Sequence, residues 1–256
     1  MTAGSVIRPL IVFAGLIGVW QVVVLATSVP PYILPGPGTV ASAFESRLDT
    51  LAENAAVTLI EIVAGFAIGT VVGMASALVM IYFRPARQWL MPVLVVSQAI
   101  PVFALAPVLT LWLGYGMESK IAMAVLIIYF PVTAAFHDGL RRTEPGWVDL
   151  ARVMNASRRA ELFQIRLPAA LPALGSGLRV AAAVAPIGAV VGEWVGSSAG
   201  LGYLMLHANA RVQIDLMFAA LFTLAVMACI FYFAIDVIAR RLTPWQTDIS
   251  LEKEDR

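Results

Sequence analysis

Residues 55–83 read AAVTLIEIVAGFAIGTVVGMASALVMIYF, from Ala55 to Phe83, and among those positions only Glu61 carries a charge. A membrane-spanning helix needs roughly 20 predominantly apolar residues, so this run is a span with length to spare. Further apolar runs lie on either side of it: Leu10–Thr27, Trp89–Leu113, Met117–Phe136, Leu171–Val195 and Leu216–Ile238. Together they fill most of a 256-residue chain that is 60% hydrophobic and 13% charged, with mean hydropathy +0.86. An ordinary soluble domain is excluded. The fold class is all-α, a polytopic membrane protein of about six transmembrane helices forming one transmembrane domain over 1–256.

The first run ends in Ser-Val-Pro-Pro (28–31) without a small-x-small cleavage site, so it reads as an uncleaved membrane helix, not a signal peptide. Residues 1–54 then comprise this helix and an outer connecting segment, 55–245 the core, and 246–256 a tail. Within the connecting segment, Val40, Ala43, Phe44 and Leu48 have helical spacing; a short helix at the outer interface and an ordered loop both fit. Cytoplasmic ends of spans carry excess Lys and Arg. With the N-terminus inside, Arg8, Arg84, Arg87, Arg141, Arg142, Arg152, Arg158, Arg159, Arg166, Arg179, Arg240, Arg241, Lys253 and Arg256 fall on the inner side, leaving only Arg47, Lys120 and Arg211 outside. Both termini are expected to be cytoplasmic.

Several functions lack their chemistry. A net charge of +1 gives no reason to expect a nucleic-acid partner. The single cysteine, Cys229, allows no disulfide framework within the chain. Neither lysine, Lys120 nor Lys253, follows the glycine that a phosphate-cradling loop requires. His137 and His207 fall on opposite sides of the membrane in this topology, so no histidine metal constellation is expected. Ser-Gly pairs such as Ser176-Gly177 lack the G-x-S-x-G pattern of a nucleophile elbow. The chain is expected not to be an enzyme, and no inverted halves of the kind common in self-powered carriers are evident.

The polar stretch between the fourth and fifth runs is both long and basic. From Trp147 it reads WVDLARVMNASRRAELFQIRLPAALPAL. Val148, Ala151 and Met154 recur every three residues, as on one face of a short helix. Asn155 tolerates the left-handed conformation that closes a helix. A second helix over Ala156–Ile165 would follow, with Pro168 and Pro172 at the entry of the next span, where a missing N–H is tolerated. The inner-side charge bias explains the arginines but not the helix-turn-helix spacing.

Polar residues inside the spans are the candidates for a transport path. Gln98 lies among Pro92, Pro101 and Pro107; the freed carbonyls suit a path-lining helix, while a kinked helix with Gln98 bonded to another span fits as well. Glu61 either snorkels to the outer interface or serves a path or dimer interface. Glu193 and Trp194 close the fifth run, as an interfacial anchor or as part of a gate. Asp236 and Arg240 stand one turn apart and form an i, i+4 pair.

The loop resembles the EAA loop of the permeases of binding-protein-dependent ATP-binding-cassette (ABC) importers, whose pattern is E-A-A, three residues, Gly, nine residues, I-x-L-P. Asp149, Leu150, Ala151, Asn155, Ile165, Leu167 and Pro168 occupy its places at the same spacing. Asp149 replaces Glu and keeps the carboxylate, Leu150 replaces Ala and stays apolar, and Asn155 replaces Gly and keeps the left-handed capacity. The resemblance implies that Asp149, Leu150, Ala151, Arg152, Met154, Asn155, Ala156 and Ser157 couple the chain to an ATPase. It also implies an ABC ATPase dimer that binds ATP and Mg, no cofactor held by this chain, an extracytoplasmic solute-binding protein, a second permease copy in a homodimer, and a location in the bacterial inner membrane. LPGPGTV (34–40) is similar to a stretch in permeases for nitrate, sulfonates, taurine and pyrimidine precursors. SQAIPVFALAPVLTLWLGYG (97–116) and GAVVGEWVGSSAGLGYLMLHANARVQIDLMFA (188–219) look most like permeases for hydroxymethylpyrimidine, a thiamin precursor. Alkanesulfonate, taurine, nitrate or riboflavin-type solutes are the alternatives within the same machinery, and a self-powered carrier or channel is the alternative class.

Overall fold

The computed structural model describes residues 4–245. The expected tail, 246–256, with Lys253 and Arg256 of the inner group, lies outside them. Helices α1 (Gly4–Thr27), α2 (Pro37–Ser46), α3 (Leu48–Tyr82), α4 (Arg84–Ala99), α5 (Val102–Leu113), α6 (Met117–Arg141), α7 (Pro145–Val153), α8 (Arg158–Ala160), α9 (Leu167–Gly196), α10 (Leu201–Ala210) and α11 (Ile214–Leu242) follow one another without a strand among the described residues. The connecting segment is helical: α2 buries Val40 and Ala43, two residues of the spacing noted in the sequence.

The chain divides into two compact units. The smaller comprises the residues up to Thr58 with Ser198–Val226, and the larger comprises Leu59–Ser197 with the residues from Met227 on. In the smaller unit, Trp20 of α1 stacks on Phe218 of α11 at 5.9 Å and lies 5.7 Å from Phe222. Polar side chains hold the start of α10, where Asn54 Oδ1 accepts from Gly200 N–H and Thr58 Oγ1 from Leu201 N–H, both at 2.8 Å. These acceptors serve the free N–H groups that every helix start exposes.

The larger unit is built on α6 and α9, which pack along most of their length. Apolar surface supplies no net attraction between helices in lipid, so close backbone approach through small residues does the work. Gly65, Gly69 and Gly73 of α3 lie on Ala124, Ile128 and Val132 of α6. Both sets rise together in four-residue steps, so α3 and α6 run parallel. Gly188 and Gly192 of α9 lie on Ala124 and Lys120 of α6, with the order reversed; α9 is antiparallel. Phe66 and Phe231 meet edge to face at 5.2 Å.

The third expected span, Trp89–Leu113, is not one helix. It breaks between Ala99 and Val102 into α4 and α5, whose axes differ by 103°. Pro101 lacks the N–H that would continue the ladder, and Ile100 before it takes an extended conformation (φ −86°, ψ 119°). Because α3 and α6 run parallel, the chain leaving α3 at Tyr82 must return to the side on which α6 starts, so α4 and α5 together form one broken span. The fifth span also differs from the expected helix followed by a separate entry. Helix continues from Arg158 to Gly196 through a π-helical turn at Glu161–Arg166; Pro168 and Pro172 sit inside this rod, and the i to i+5 turn is a local adjustment of the kind that keeps proline within a helix.

Candidate functional site

Helix α7 is short and amphipathic. Val148 and Ala151 are buried, while Leu150 is 61% exposed, Val153 80% and Met154 73%. Met154 stands at the C-cap, not on the buried face that its spacing suggested. Asn155 has φ 55°, in the left-handed region. Its N–H donates to the Arg152 carbonyl at 3.0 Å and that of Ala156 to the Ala151 carbonyl at 2.9 Å. This paired closure satisfies carbonyls that a helix end otherwise leaves bare. Ser157 then opens the next helix, its hydroxyl accepting from Ala160 N–H at 3.2 Å. Asp149 and Arg152 pair on the exposed surface at 3.2 Å. The loop therefore exposes three apolar side chains at a hydrogen-bonded turn.

The second assembly lies inside the bundle. On α3 the stripe 61, 65, 69, 73 faces the stripe 120, 124, 128, 132 of α6, so the layer beyond Gly65 and Ala124 brings Glu61 to Lys120. Glu193 adjoins Gly192, which packs on Lys120. Glu61, Lys120 and Glu193 are each 1% exposed. Glu61 lies close to the carboxyl group of Glu193 and to the Lys120 ammonium; its Oε2 has no hydrogen-bond partner. Lys120 Nζ donates to the carbonyls of Tyr115 and Gly196, each at 2.6 Å. Glu61 does not snorkel: α3 begins at Leu48, earlier than the apolar run suggested, so position 61 is almost four turns inside the helix and on its packed face. Charges at such depth need partners, and here three helices supply them.

Sequence reasoning singled out Glu61 and Glu193 but used Lys120 only as an outer charge. The available signal was its isolation, a lone lysine at the start of a span. Gln98 and Pro101 are not part of this centre; both are exposed on the broken span, Gln98 in the last turn of α4. Asp236 pairs with Arg240 at 2.9 Å as its spacing indicates, and also with Arg179 of α9 at 2.6 Å.

A family model described as binding-protein-dependent transport system inner membrane component matches residues 69–247. A protein of Haemophilus influenzae described as "Probable ABC transporter permease protein" is 54% identical over 92% of this chain and 96% of its own length. The formylaminopyrimidine transport permease protein ThiX of Halalkalibacterium halodurans is 33% identical over 94% of this chain and 96% of its own. The riboflavin transport system permease protein RibX of Chloroflexus aurantiacus is 34% identical over 89% and 85%. Among solved structures, an inward-facing conformation of the MetNI methionine ABC transporter aligns over 77% of this chain and 95% of that chain, with TM-score 0.58 and 21% identity.

Proposed function

The chain belongs to the binding-protein-dependent transport system inner membrane components, and from that premise we propose that it carries a pyrimidine precursor of thiamin, of the hydroxymethylpyrimidine or formylaminopyrimidine kind, into the cell. It is the permease subunit of an ABC importer, a multipass inner-membrane protein that is not itself an enzyme. ATP and Mg are held by a separate ATPase dimer. The pyrimidine assignment is supported by the 97–116 and 188–219 stretches and by similarity to the formylaminopyrimidine permease; the riboflavin permease, at comparable identity, supplies the competing solute.

The observation that carries the mechanism is α7, whose exposed Leu150, Val153 and Met154 stand on a turn fixed by Asn155. Such a face suits a groove on the ATPase. ATP-driven closure of the ATPases would move the Asp149–Ser157 segments of two permease copies together and open the spans outward toward a solute-binding protein. Glu61, Lys120 and Glu193 join α3, α6 and α9 near the ends that the charge count places outside, and we assign them the task of holding that end shut between cycles. The termini lie on the cytoplasmic side in this reading.

Co-purification with the cognate ATPase in detergent tests the coupling contact. Asp149 is exposed and pairs with the exposed Arg152, so Asp149→Arg should leave folding intact while abolishing association and stimulated ATP hydrolysis. Unchanged association would sink the assignment, and uptake by this chain alone in liposomes would favour a self-powered carrier. Competition of labelled hydroxymethylpyrimidine uptake by formylaminopyrimidine, riboflavin and taurine in vesicles holding the complete importer settles the solute; inhibition by riboflavin alone would replace the pyrimidine.

A further inference from the structure

Where α3 and α6 end and α4 and the Arg158–Gly196 helix begin, they and α7 border a half-open cavity of about 710 Å³. Arg87, Arg141, Arg152, Arg158 and Arg166 line it against a single carboxylate, Glu161. Arg166 is committed: it pairs with Glu161 at 2.7 Å and donates to the Leu140 carbonyl at 3.2 Å. Arg152 pairs with Asp149 and lies 3.9 Å from Glu161. Among the described residues, Arg87, Arg141 and Arg158 have no carboxylate partner. The inner-side bias accounts for basic side chains at this depth, yet it does not require that five converge on one cavity.

The remaining wall is apolar: Met80, Ile81, Tyr82 and Phe83 from the last turn of α3 and just beyond it. Tyr82 and Phe83 are exposed. Guanidinium groups bind phosphate oxygens in a matching fork geometry, and the cytoplasmic leaflet presents anionic headgroups at this level. We propose that the cavity is a phosphate site, occupied by the headgroup phosphate of an anionic phospholipid whose chains lie along Tyr82 and Phe83. The same guanidinium cluster would also take free phosphate, and the two sources separate by experiment. The assignment does not depend on which solute the importer carries.

The full chain, purified in detergent, is titrated with phosphatidylglycerol, phosphatidylcholine and inorganic phosphate, following its melting temperature and, by native mass spectrometry, bound lipid. Phosphatidylglycerol should raise the melting temperature and remain bound where phosphatidylcholine does not. Equal protection by inorganic phosphate would keep the site and assign it to free anion. The triple variant Arg87→Gln/Arg141→Gln/Arg158→Gln breaks no ion pair among the described residues and should weaken phosphatidylglycerol binding roughly a hundredfold, at about fivefold per guanidinium. Arg159→Gln, exposed and outside the lining, controls for the loss of one nearby arginine and should bind as the wild type does. Equal effects of the two lipids, or undiminished phosphatidylglycerol binding by the triple variant, would overturn the proposal.

Discussion

Lys120 Nζ donates to the Gly196 carbonyl at 2.6 Å, so the first turn of α6 holds the last residue of α9. The contact connects residues 76 apart in sequence and lies beside two carboxyl groups as deeply buried as the lysine itself. It converts three apolar helices into a specifically fastened bundle at one end, because a buried ammonium has few ways to be satisfied.

Removing that ammonium should be among the most damaging single changes. Lys120→Met leaves Glu61 and Glu193 buried without their counter-charge, and loss of one member of a buried ionic set costs about 3–5 kcal/mol. The drop should appear in thermal unfolding in detergent. Glu61→Gln, whose amide can donate to Glu193, should be far milder and should recover part of the loss when combined with Lys120→Met. A melting temperature unaffected by Lys120→Met would refute the centre.

Gly188 is fixed by backbone contact. A Cβ there would sit 2.7 Å from Ala124 Cα, and backbone has no rotamer to yield. Gly188→Ala should destabilise by about 1–3 kcal/mol. Gly38, in α2, has open space at its Cβ position, so Gly38→Ala should be neutral or slightly stabilising. Equal melting temperatures for the two variants would argue against the close α6–α9 approach.

At Asn155 the backbone decides. Asn155→Gly keeps the left-handed conformation and should preserve both stability and ATPase association, whereas Asn155→Val forces a β-branched residue to φ 55° at a cost of about 1–2 kcal/mol or more. The informative readout is ATPase association: if valine supports it as well as glycine does, the turn is not what presents α7.

The Asp236 pairs should rank by burial. Arg179 comes from another helix and is less exposed than Arg240. Arg179→Ala should cost about 1.5–3 kcal/mol, in the range of hydrogen bonds to charged groups, while Arg240→Ala should cost no more than about 0.5 kcal/mol. Chemical or thermal denaturation of both variants gives the order, and the reverse order would show that the within-helix pair dominates.

Much of this fold was legible from local properties. Apolar run length located the spans, because a helix crossing lipid must satisfy its backbone internally. The left-handed capacity of Asn155 marked the end of α7, and the stop at Ala99 is foreshadowed by Pro101. What run length could not reveal is direction: a proline in an apolar run signals a kink, but the 103° break depends on what α4 and α5 pack against.

An all-α membrane protein, most of its apolar spans and the left-handed turn that closes α7 follow from the chemistry of neighbouring residues and are written in the sequence. Long-range packing is what buries Glu61, brings Lys120 and Glu193 to it, joins Arg179 to Asp236 and gathers five arginines around one cavity. Those contacts join residues far apart along the chain. Four-residue stripes of glycine and alanine allow many pairings in principle, and the registration of α3, α6 and α9 selects the one that brings the charges together.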